Sequence, residues 1–368
     1  MIGSERVDLI VVGLGPAGAC AAAVAARAGM RVVALDRKRV AGVPVQCAEF
    51  VPGPLAAEVG DLARATRQAI VAMNTAIGVE APHETRDFRG AMIDRANFDQ
   101  MLVAEARRAG AQIHLGAAVE SIGRKGVALR DGRVFDARTI IGADGPRSVV
   151  GRALGAVNRR LVETRQITTR LLRPHDATDI FLSPDYRGGY AWLFPKGDVA
   201  HIGLGVEPGE RRRLKPLLEA LHARLVEERR VGAEVVALTG GAIPVGGMLR
   251  CAGKIGDRTV LLAGDAAGLT NPVTGAGIAS AVLSGRLAGA AAGELWQGRQ
   301  AADADYAQEL ADVFGASLER AVARRRETLD ACADRPGRSD LRRGWIAFPE
   351  YWGPTAAVLA EPVERPVR

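Results

Sequence analysis

The chain has 368 residues, 48% of them hydrophobic and 25% charged, which is typical of a folded globular protein with more than one domain. The net charge of +7 could attract nucleic acid or an anionic membrane, but the arginines are scattered among acidic residues, so a basic solvated surface is favoured and no nucleic-acid partner is expected. Four widely spaced cysteines and five histidines without ligand spacing predict neither a disulfide framework nor a metal site.

Targeting signals are not evident in the sequence. No segment has the length and apolar content expected of a membrane-spanning helix. The N-terminus leads almost directly into a predicted strand and lacks the layout of a signal peptide. A cytoplasmic protein is therefore expected.

The first thirty residues predict a strand, a glycine turn, a helix and a second strand. The run "VDLIVV" is typical of a buried parallel strand, and "GLGPAG" at 13–18 opens an alanine-rich helix. In such a turn Gly13 permits the tight bend, Gly15 lets the backbone approach a pyrophosphate, and Gly18 lets helix and strand pack closely. Asp36 ends the second strand, where a carboxylate can accept a hydrogen bond from a ribose hydroxyl. This segment therefore predicts a dinucleotide site.

The middle of the chain predicts a helix over 95–110, one strand over 111–122 and a hairpin that turns at Asp131 and Gly132. The hairpin leads into a buried strand that ends in "IIGADG", with Asp144 in an Asp-Gly turn. Taken alone, that turn is an ordinary loop.

Residues from about 160 to 250 change character, with longer alternating strands and then a charged helix over 210–230. A second buried strand and glycine turn return in "LLAGDAAGLTNPVTGAGI", where Gly264 and Asp265 close the strand and a carboxylate could bind a polyol chain. Gly275 and Gly277 open a long helix whose N–H groups could meet an electron-rich ligand. These signals predict a discontinuous α/β domain with an inserted sheet domain, followed by a helical and then loop-rich C-terminal part.

In this order and spacing, the three glycine motifs resemble the FAD-binding set of the p-hydroxybenzoate-hydroxylase-like flavoproteins. Within that group the chain is most similar to the geranylgeranyl reductase family. This likeness rests on "DRANFD" (94–99), "VPVQCAEF" (43–50), "YAWLFP" (190–195) and "GGAIPVGG" (240–247), and it covers roughly residues 7 to 290.

The resemblance implies FAD as cofactor and a role for each matching residue. It implies a Rossmann-type FAD-binding domain over 1–80, 94–160 and 252–300, an inserted β-sheet substrate domain over 81–93 and 161–251, and a helical C-terminal segment over 301–368. The implied cofactor contacts are Gly13, Gly15 and Gly18 at the pyrophosphate, Asp36 at the adenosine ribose, Arg95 beside the cofactor, Asp144 near the pyrophosphate, Asp265 at the ribityl chain, and the loop Gly275, Ala276 and Gly277 at the pyrimidine end of the flavin. Further cofactor-binding residues are Pro16, Ala17, Arg37 and Gly264, and Cys47 is implied to lie near the isoalloxazine.

Aromatic residues concentrate in one stretch of this aromatic-poor chain. Tyr190, Trp192 and Phe194 alternate with period two, so their side chains should share one face of a strand. We predict that part of this face lines the substrate cavity over the flavin; the alternative is a strand wholly buried in a core. Tyr190 and Trp192, with Cys47, are the candidate catalytic residues, although Cys47 could also be a small buried hydrophobe. For His201 a surface or core position is favoured over a cavity wall.

A second aromatic group occurs late, in "GWIAFPEYWGP". Packing of Trp345, Phe348, Tyr351 and Trp352 on the body of the protein is favoured. The alternative is a lid or a peripheral membrane anchor, because Trp and Tyr beside arginine suit a membrane surface.

The sequence and its resemblance therefore predict an FAD-dependent oxidoreductase that reduces carbon–carbon double bonds of an isoprenoid-type substrate. One alternative is a flavin monooxygenase that hydroxylates an aromatic substrate, including a side chain of a protein partner. Another is a non-catalytic flavin-bound interaction protein. Only one dinucleotide fingerprint is present, so NAD(P)H or another reductant would be a transient electron donor.

Overall fold

The computed structural model describes residues 5–78, 80–123, 126–331 and 337–354 of an α/β protein. Within these residues the strands form three sheets. In spatial order, the six-stranded sheet contains Ala252–Ile255, Arg258–Leu262, Thr139–Gly142, Leu9–Val12, Val32–Asp36 and Gln112–Leu115. The eight-stranded sheet contains Val231–Pro244, Leu161–Leu171, Val199–Val206, Ala191–Lys196, Ala177–Leu182, Thr66–Ile77, His83–Ile93 and Phe50–Pro52. The four-stranded sheet contains Glu5–Arg6, Val134–Asp136, Gly126–Leu129 and Val119–Gly123.

The six-stranded sheet brings the three glycine motifs together. Its strand Leu9–Val12 pairs in parallel with Val32–Asp36 on one side and Thr139–Gly142 on the other, and the latter pairs in parallel with Arg258–Leu262. These strands are apolar on both faces because helices cover both. Since parallel strands end at the same edge of a sheet, the turns that follow them are neighbours.

The helices differ widely in length. The α-helices are Pro16–Arg27, Leu55–Glu58, Leu62–Ala65, Arg95–Arg108, Val149–Leu154, Leu214–Glu227, Ile278–Trp296, Ala302–Leu310, Ala316–Ala331, Arg338–Arg343 and Pro349–Trp352. Short 3₁₀ turns cover Pro208–Arg213 and Gly264–Ala267, and a π-helical turn covers Ala311–Gly315. No helix within the described ranges is long and apolar enough to cross a membrane.

Two helices that begin at glycine loops pack against each other at very short distance. A Cβ on Gly285 or Gly289 of helix Ile278–Trp296 would come within 3.0 Å of the carbonyl oxygens of Ala17 and Ala21 in the first helix. The contacts advance in the same direction along both helices, so the helices run parallel and their N-termini lie at the same end. Glycine and alanine at this interface therefore set the spacing of the two glycine loops.

The eight-stranded sheet carries a different apolar cluster on each face. Helix Leu214–Glu227 packs on one face through leucines that include Leu218 and Leu225. On the other face Trp192 and Phe194 pack with Trp345 and Phe348 of the C-terminal segment. The sheet also takes strands from 50–52 and 66–77, a region that the sequence analysis assigned to the FAD-binding domain.

Three predicted elements differ in detail. The expected strand over 111–122 is two strands in different sheets, because Gly116 turns the chain with a φ of +72°. The expected helix over 210–230 begins as a 3₁₀ turn and becomes α-helical only over Leu214–Glu227. The helix predicted over 95–110 ends at Arg108.

Candidate active site

The first glycine loop leaves open space at one of its three glycines. Gly13 has a φ of +95°, and a Cβ there or on Gly18 would lie within 3.0 Å of the backbone of Ala143 or Gly13, respectively. Gly15 differs, because its φ is −73° and a Cβ would meet no protein atom within 4 Å. Protein packing therefore requires the first and third glycines, whereas the space beside Gly15 is open to a ligand.

Asp36 links this loop to the residues that follow the strand Val32–Asp36. Its carboxylate accepts hydrogen bonds from the backbone N–H of Leu14 and of Lys38, each at 2.7 Å. Arg37, the next residue, is exposed. Pro16 and Ala17 are buried in the first turn of the helix, and the backbone N–H groups of that turn point toward the loop. The helix N-terminus therefore offers donors to an anion beside Gly15.

Asp144 caps the short helix Val149–Leu154. Its carboxylate accepts hydrogen bonds from the hydroxyl of Ser148 and from the N–H of Val149, the latter at 2.6 Å. Burial raises the pKa of this carboxyl group, and the hydrogen bonds act against that shift. The Asp-Gly turn lies directly against the first loop, because Gly13 approaches Ala143 and Asp144.

Asp265 lies behind the start of helix Ile278–Trp296. Gly264 before it has a φ of +59° and donates its N–H to Ser284 at 2.9 Å. The Asp265 carboxylate accepts a hydrogen bond from the hydroxyl of Thr270 at 2.5 Å. Burial raises the pKa of Asp265, although Thr270 and the positive charge of Arg95 oppose the shift.

The loop 271–277, which precedes helix Ile278–Trp296, is stabilised by hydrogen bonds among its own residues and by one from Tyr190. The side-chain oxygen of Asn271 accepts from the N–H groups of Val273 and Thr274, both at 3.0 Å. Gly275 has a φ of +70°, Ala276 is exposed, and Gly277 is the N-cap of the helix. The phenol of Tyr190 donates to the carbonyl of Thr274 at 2.5 Å.

Arg95 links Cys47 to the cofactor-side residues. Its guanidinium forms an ion pair with the buried Asp99 at 2.8 Å, and it also lies against the Cys47 thiol. Burial acts to lower the pKa of Arg95, but Asp99 and Cys47 outweigh it and the pKa is raised. The positive charge of Arg95 also acts against the burial that raises the pKa of Asp265, so the same cation interacts with Cys47 and with Asp265.

A buried polar network behind Cys47 was missed by the sequence analysis. Glu49 is 4% exposed and has a φ of +68°, which is rare for a residue other than glycine. Its Oε2 accepts from Nζ of Lys196 and Nε2 of His201, both at 2.6 Å, and its Oε1 accepts from the N–H of Arg95 at 2.8 Å. Burial acts to raise the pKa of Glu49, but these hydrogen bonds lower it below its ordinary value.

The same network reaches the aromatic strand. Nε2 of Gln166 donates to the carbonyl of Cys47 at 3.2 Å, and Nε1 of Trp192 donates to Oε1 of Gln166 at 3.0 Å. His201 is buried, as a core position predicts, and its Nδ1 lies 3.0 Å from the hydroxyl of Thr168. No sequence pattern signals these pairs, because they join strands that are distant in the chain.

The aromatic face divides between core and cleft. Trp192 and Phe194 are 6% and 7% exposed and pack in the core of this sheet face. Tyr190 is half-buried, and its ring lies 4.7 Å from the ring of Trp345. A cleft opens beside these two rings. Its lining includes Leu182, Tyr186, Gly189, Tyr190, Val273 and Trp345.

The C-terminal aromatic group lies mostly in this packing. Trp345, Phe348 and Tyr351 are buried, whereas Trp352 is 62% exposed. Nε1 of Trp345 donates to the hydroxyl of Thr75 at 3.2 Å, which ties the segment to the eight-stranded sheet. Packing on the body of the protein is therefore the correct interpretation for the first three residues.

The three glycine motifs thus lie at one end of the six-stranded sheet, whereas the predicted site residue Trp192 lies in the core of the eight-stranded sheet. Gly13, Asp144 and Gly264 follow neighbouring strands, and the residues around them offer a glycine loop, two helix N-termini and a buried carboxylate. The open space at Gly15 and the N–H groups beside it fit a pyrophosphate. The Asp265 carboxylate already accepts a hydrogen bond from the hydroxyl of Thr270, and it could accept others from the hydroxyls of a polyol chain. This donor set fits FAD. Among the described residues, no cluster of His, Cys, Asp or Glu could hold a metal ion.

Comparison with protein families gives the same cofactor. A family model described as "FAD binding domain" matches residues 6–304. The chain is 34% identical over 316 residues to a digeranylgeranylglycerophospholipid reductase of Methanothrix thermoacetophila, covering 77% of each chain. It is 32% identical over 379 residues to digeranylgeranylglycerophospholipid reductase 2 of Methanopyrus kandleri, covering 91% of this chain and 92% of the relative.

Solved structures share the fold. A geranylgeranyl bacteriochlorophyll reductase-like protein of Thermoplasma acidophilum superposes with a TM-score of 0.79 at 22% identity, covering 95% of this chain and 98% of the other. A probable FAD-dependent monooxygenase of Pseudomonas aeruginosa superposes with a TM-score of 0.69 at 20% identity, covering 90% and 98%. The family match and the curated relatives together establish that this chain is an FAD-dependent oxidoreductase and belongs to the geranylgeranyl reductase family.

Proposed function

We propose that the enzyme reduces carbon–carbon double bonds in an isoprenoid chain. The relatives named as digeranylgeranylglycerophospholipid reductases support this substrate class. The observation that carries the proposal is the cleft beside Tyr190 and Trp345, which includes Val273 of the loop before helix Ile278–Trp296. Its lining combines apolar and aromatic side chains with polar ones that include Arg187 and Arg325. Flat and apolar side chains suit a chain of isoprene units, and they keep water from the reacting bond.

In this proposal each group of residues has a separate task. The first glycine loop with Asp36 holds the adenosine diphosphate part of FAD, and Asp265 with the loop 271–277 holds the ribityl chain and the ring. Bound FAD in its reduced form supplies the hydride. Cys47 and Arg95 orient the alkene and manage the accompanying proton in this proposal, which the interaction between the thiol and the guanidinium supports. Tyr190 keeps the eight-stranded sheet in contact with the loop at Thr274.

The domain division is part of the same proposal. The six-stranded sheet and its helices form the FAD-binding part, and the eight-stranded sheet forms an inserted substrate domain. The strand Thr66–Ile77 belongs to that sheet, so the substrate domain includes this strand as well as 81–93 and 161–251.

We also propose a cytoplasmic enzyme that binds its lipid at a membrane surface and receives electrons from NAD(P)H or another transient donor.

The decisive experiment begins with anaerobic reduction of the bound flavin. A geranylgeranyl lipid is then added, and flavin reoxidation is followed by absorbance while product mass is measured. We expect reoxidation together with a gain of two hydrogen atoms for each reduced double bond. Hydroxylated product formed only after oxygen is admitted would instead support a monooxygenase. A reducible flavin with no turnover under either condition would favour a non-catalytic flavoprotein.

A pair of matched variants tests whether the cleft holds the substrate. Leu341→Trp would fill the cleft from helix Arg338–Arg343, outside the loop proposed to hold FAD, whereas Val313→Trp places the same side chain at a residue that is 49% exposed elsewhere. We expect the first variant to retain FAD. KM for the lipid should rise by at least about tenfold, because the lipid can no longer bury apolar surface against the filled part of the cleft. The second should leave KM unchanged. Equal KM values in both variants would contradict substrate binding in this cleft.

A further inference from the structure

Glu49 combines three features that ordinary packing does not require. It is buried, it holds a left-handed backbone conformation, and its carboxylate gathers donors from three separate elements. Strained residues persist only where surrounding contacts over-determine them, and they cluster at functional sites. If this position only filled space in the core, an apolar side chain would serve it without the free energy that is needed to remove a carboxylate from water.

The contacts of Glu49 converge on Cys47 and Arg95. Its backbone N–H donates to Sγ of Cys47 at 3.1 Å, and its Oε1 accepts the backbone N–H of Arg95 at 2.8 Å. The Arg95 guanidinium in turn lies against the Cys47 thiol. Glu49 therefore fixes the Cys47 thiol directly, and it also fixes the start of the helix Arg95–Arg108, whose first residue carries the guanidinium.

The other end of the Glu49 side chain is held by the sheet. Lys196 and His201 lie on adjacent antiparallel strands, and both donate to Oε2 of Glu49. Thr168, on the next strand, orients His201 through its Nδ1. The position of the Cys47 loop is thus set by three strands of the eight-stranded sheet rather than by the loop itself.

We infer that Glu49 is a positioning residue, which holds Cys47 and Arg95 in register with the eight-stranded sheet. The contact to Cys47 runs through the backbone N–H and not through the carboxylate, so the geometry assigns positioning and not proton relay. This inference rests on the proposed role of Cys47 at the flavin. It predicts that Glu49 acts on turnover only through Cys47 and Arg95.

The test uses Glu49→Gln in the FAD-loaded enzyme, with Asp179→Asn as the matched control. Asp179 is also buried in the eight-stranded sheet and accepts from His175, Arg230 and Asn74, and these three partners lie outside the Cys47 loop. Replacing Glu49 by Gln keeps the shape and places amide donors opposite Lys196. Lys196→Met removes a single donor and keeps the side-chain stem, so it serves where Glu49→Gln folds poorly.

The first readout is independent of turnover. Alkylation of Cys47 by iodoacetamide is followed by peptide mass spectrometry, and we expect it to be roughly tenfold faster in Glu49→Gln, as the loss of one charge-assisted hydrogen bond implies. Cys20 and Cys251 report global unfolding, because burial raises the pKa of each thiol to about 12 and they should stay unreactive. An unchanged Cys47 rate in Glu49→Gln and Lys196→Met would overturn the inference.

The second readout is a double-mutant comparison with Cys47→Ser. Glu49→Gln should lower the rate of flavin reoxidation by the lipid about tenfold, with KM and FAD content unchanged, and should cause a clearly smaller loss in the Cys47→Ser background, where only the contact with Arg95 remains to be lost. An equal loss in both backgrounds would mean a general structural role and would contradict positioning. Faster alkylation in an enzyme that reduces no isoprenoid would leave the inference standing and reject the proposed function.

Discussion

The phenol of Tyr190 donates a hydrogen bond to the backbone carbonyl of Thr274 at 2.5 Å, and this bond joins the aromatic strand to the loop that opens helix Ile278–Trp296. Burial raises the pKa of Tyr190, so the phenol stays protonated and remains a donor throughout the physiological pH range. The bond therefore couples the proposed substrate domain to the loop that is proposed to hold the flavin.

Tyr190→Phe should weaken that coupling without disturbing the core. The ring would still pack on Trp345, so we expect the free energy of unfolding to fall by only about 1 kcal/mol. Since the loop at Thr274 loses its anchor, FAD should dissociate faster, which flavin fluorescence after dilution would measure. Unchanged FAD dissociation in this variant would show that the remaining contacts, including those to the Asn271 side chain, hold the loop without the Tyr190 hydrogen bond.

Gly15 and Gly18 should respond to substitution in opposite ways. The Cβ that Gly15→Val adds would meet no protein atom within 4 Å, so the apoprotein should melt at nearly the wild-type temperature while FAD binding is lost. Gly18→Ala would force a Cβ against the Gly13 carbonyl and should destabilise the protein by about 1–3 kcal/mol. Calorimetry of the apoproteins and flavin content after reconstitution separate the two effects. Full flavin occupancy in Gly15→Val would mean that the pyrophosphate lies elsewhere.

Trp192→Ala tests how the aromatic face is used. Because Trp192 is buried and its indole donates to Gln166, we expect the free energy of unfolding to fall by about 3–5 kcal/mol. Trp352→Ala, at an exposed tryptophan, should change it by less than about 0.5 kcal/mol. Chemical denaturation measures both. Normal lipid affinity in folded Trp192→Ala would assign Trp192 to the core alone, whereas a small stability loss with weak lipid binding would support the cavity contact.

Stability in acid should depend on Glu49. The hydrogen bonds lower its pKa in the folded protein below the ordinary value of 4.5, so Glu49 stabilises the folded state above that pH and this contribution is lost as pH falls through the folded pKa. Glu49→Gln should therefore reduce the free energy of unfolding by about 3 kcal/mol at neutral pH and by much less near pH 3. Thermal melts of both proteins between these pH values measure the difference. A difference in the free energy of unfolding between the two proteins that stays constant with pH would contradict the lowered pKa of Glu49.

The cofactor half of the protein could be predicted from local sequence. Gly13, Gly18 and Asp36 act within one strand–turn–helix–strand unit, so their spacing along the chain already carries their geometry. The later turns at Asp144 and Gly264 were predicted for the same reason, since each ends a buried strand. The local pattern could not reveal that the Asp144 carboxylate accepts a hydrogen bond from the N–H of Val149 and so caps the helix Val149–Leu154.

The site around Cys47 required the tertiary structure. Glu49 meets His201 and Lys196 across about 150 residues of chain, and hydrogen bonds between such distant positions follow from strand order and register, which no local periodicity encodes. The left-handed backbone of Glu49 likewise arises from its partners rather than from its own preference. The alternation of Tyr190, Trp192 and Phe194 correctly indicated a shared face. Only the packing of Trp345 on that face divided it into a buried part and a cleft, because burial depends on which surface a distant segment covers.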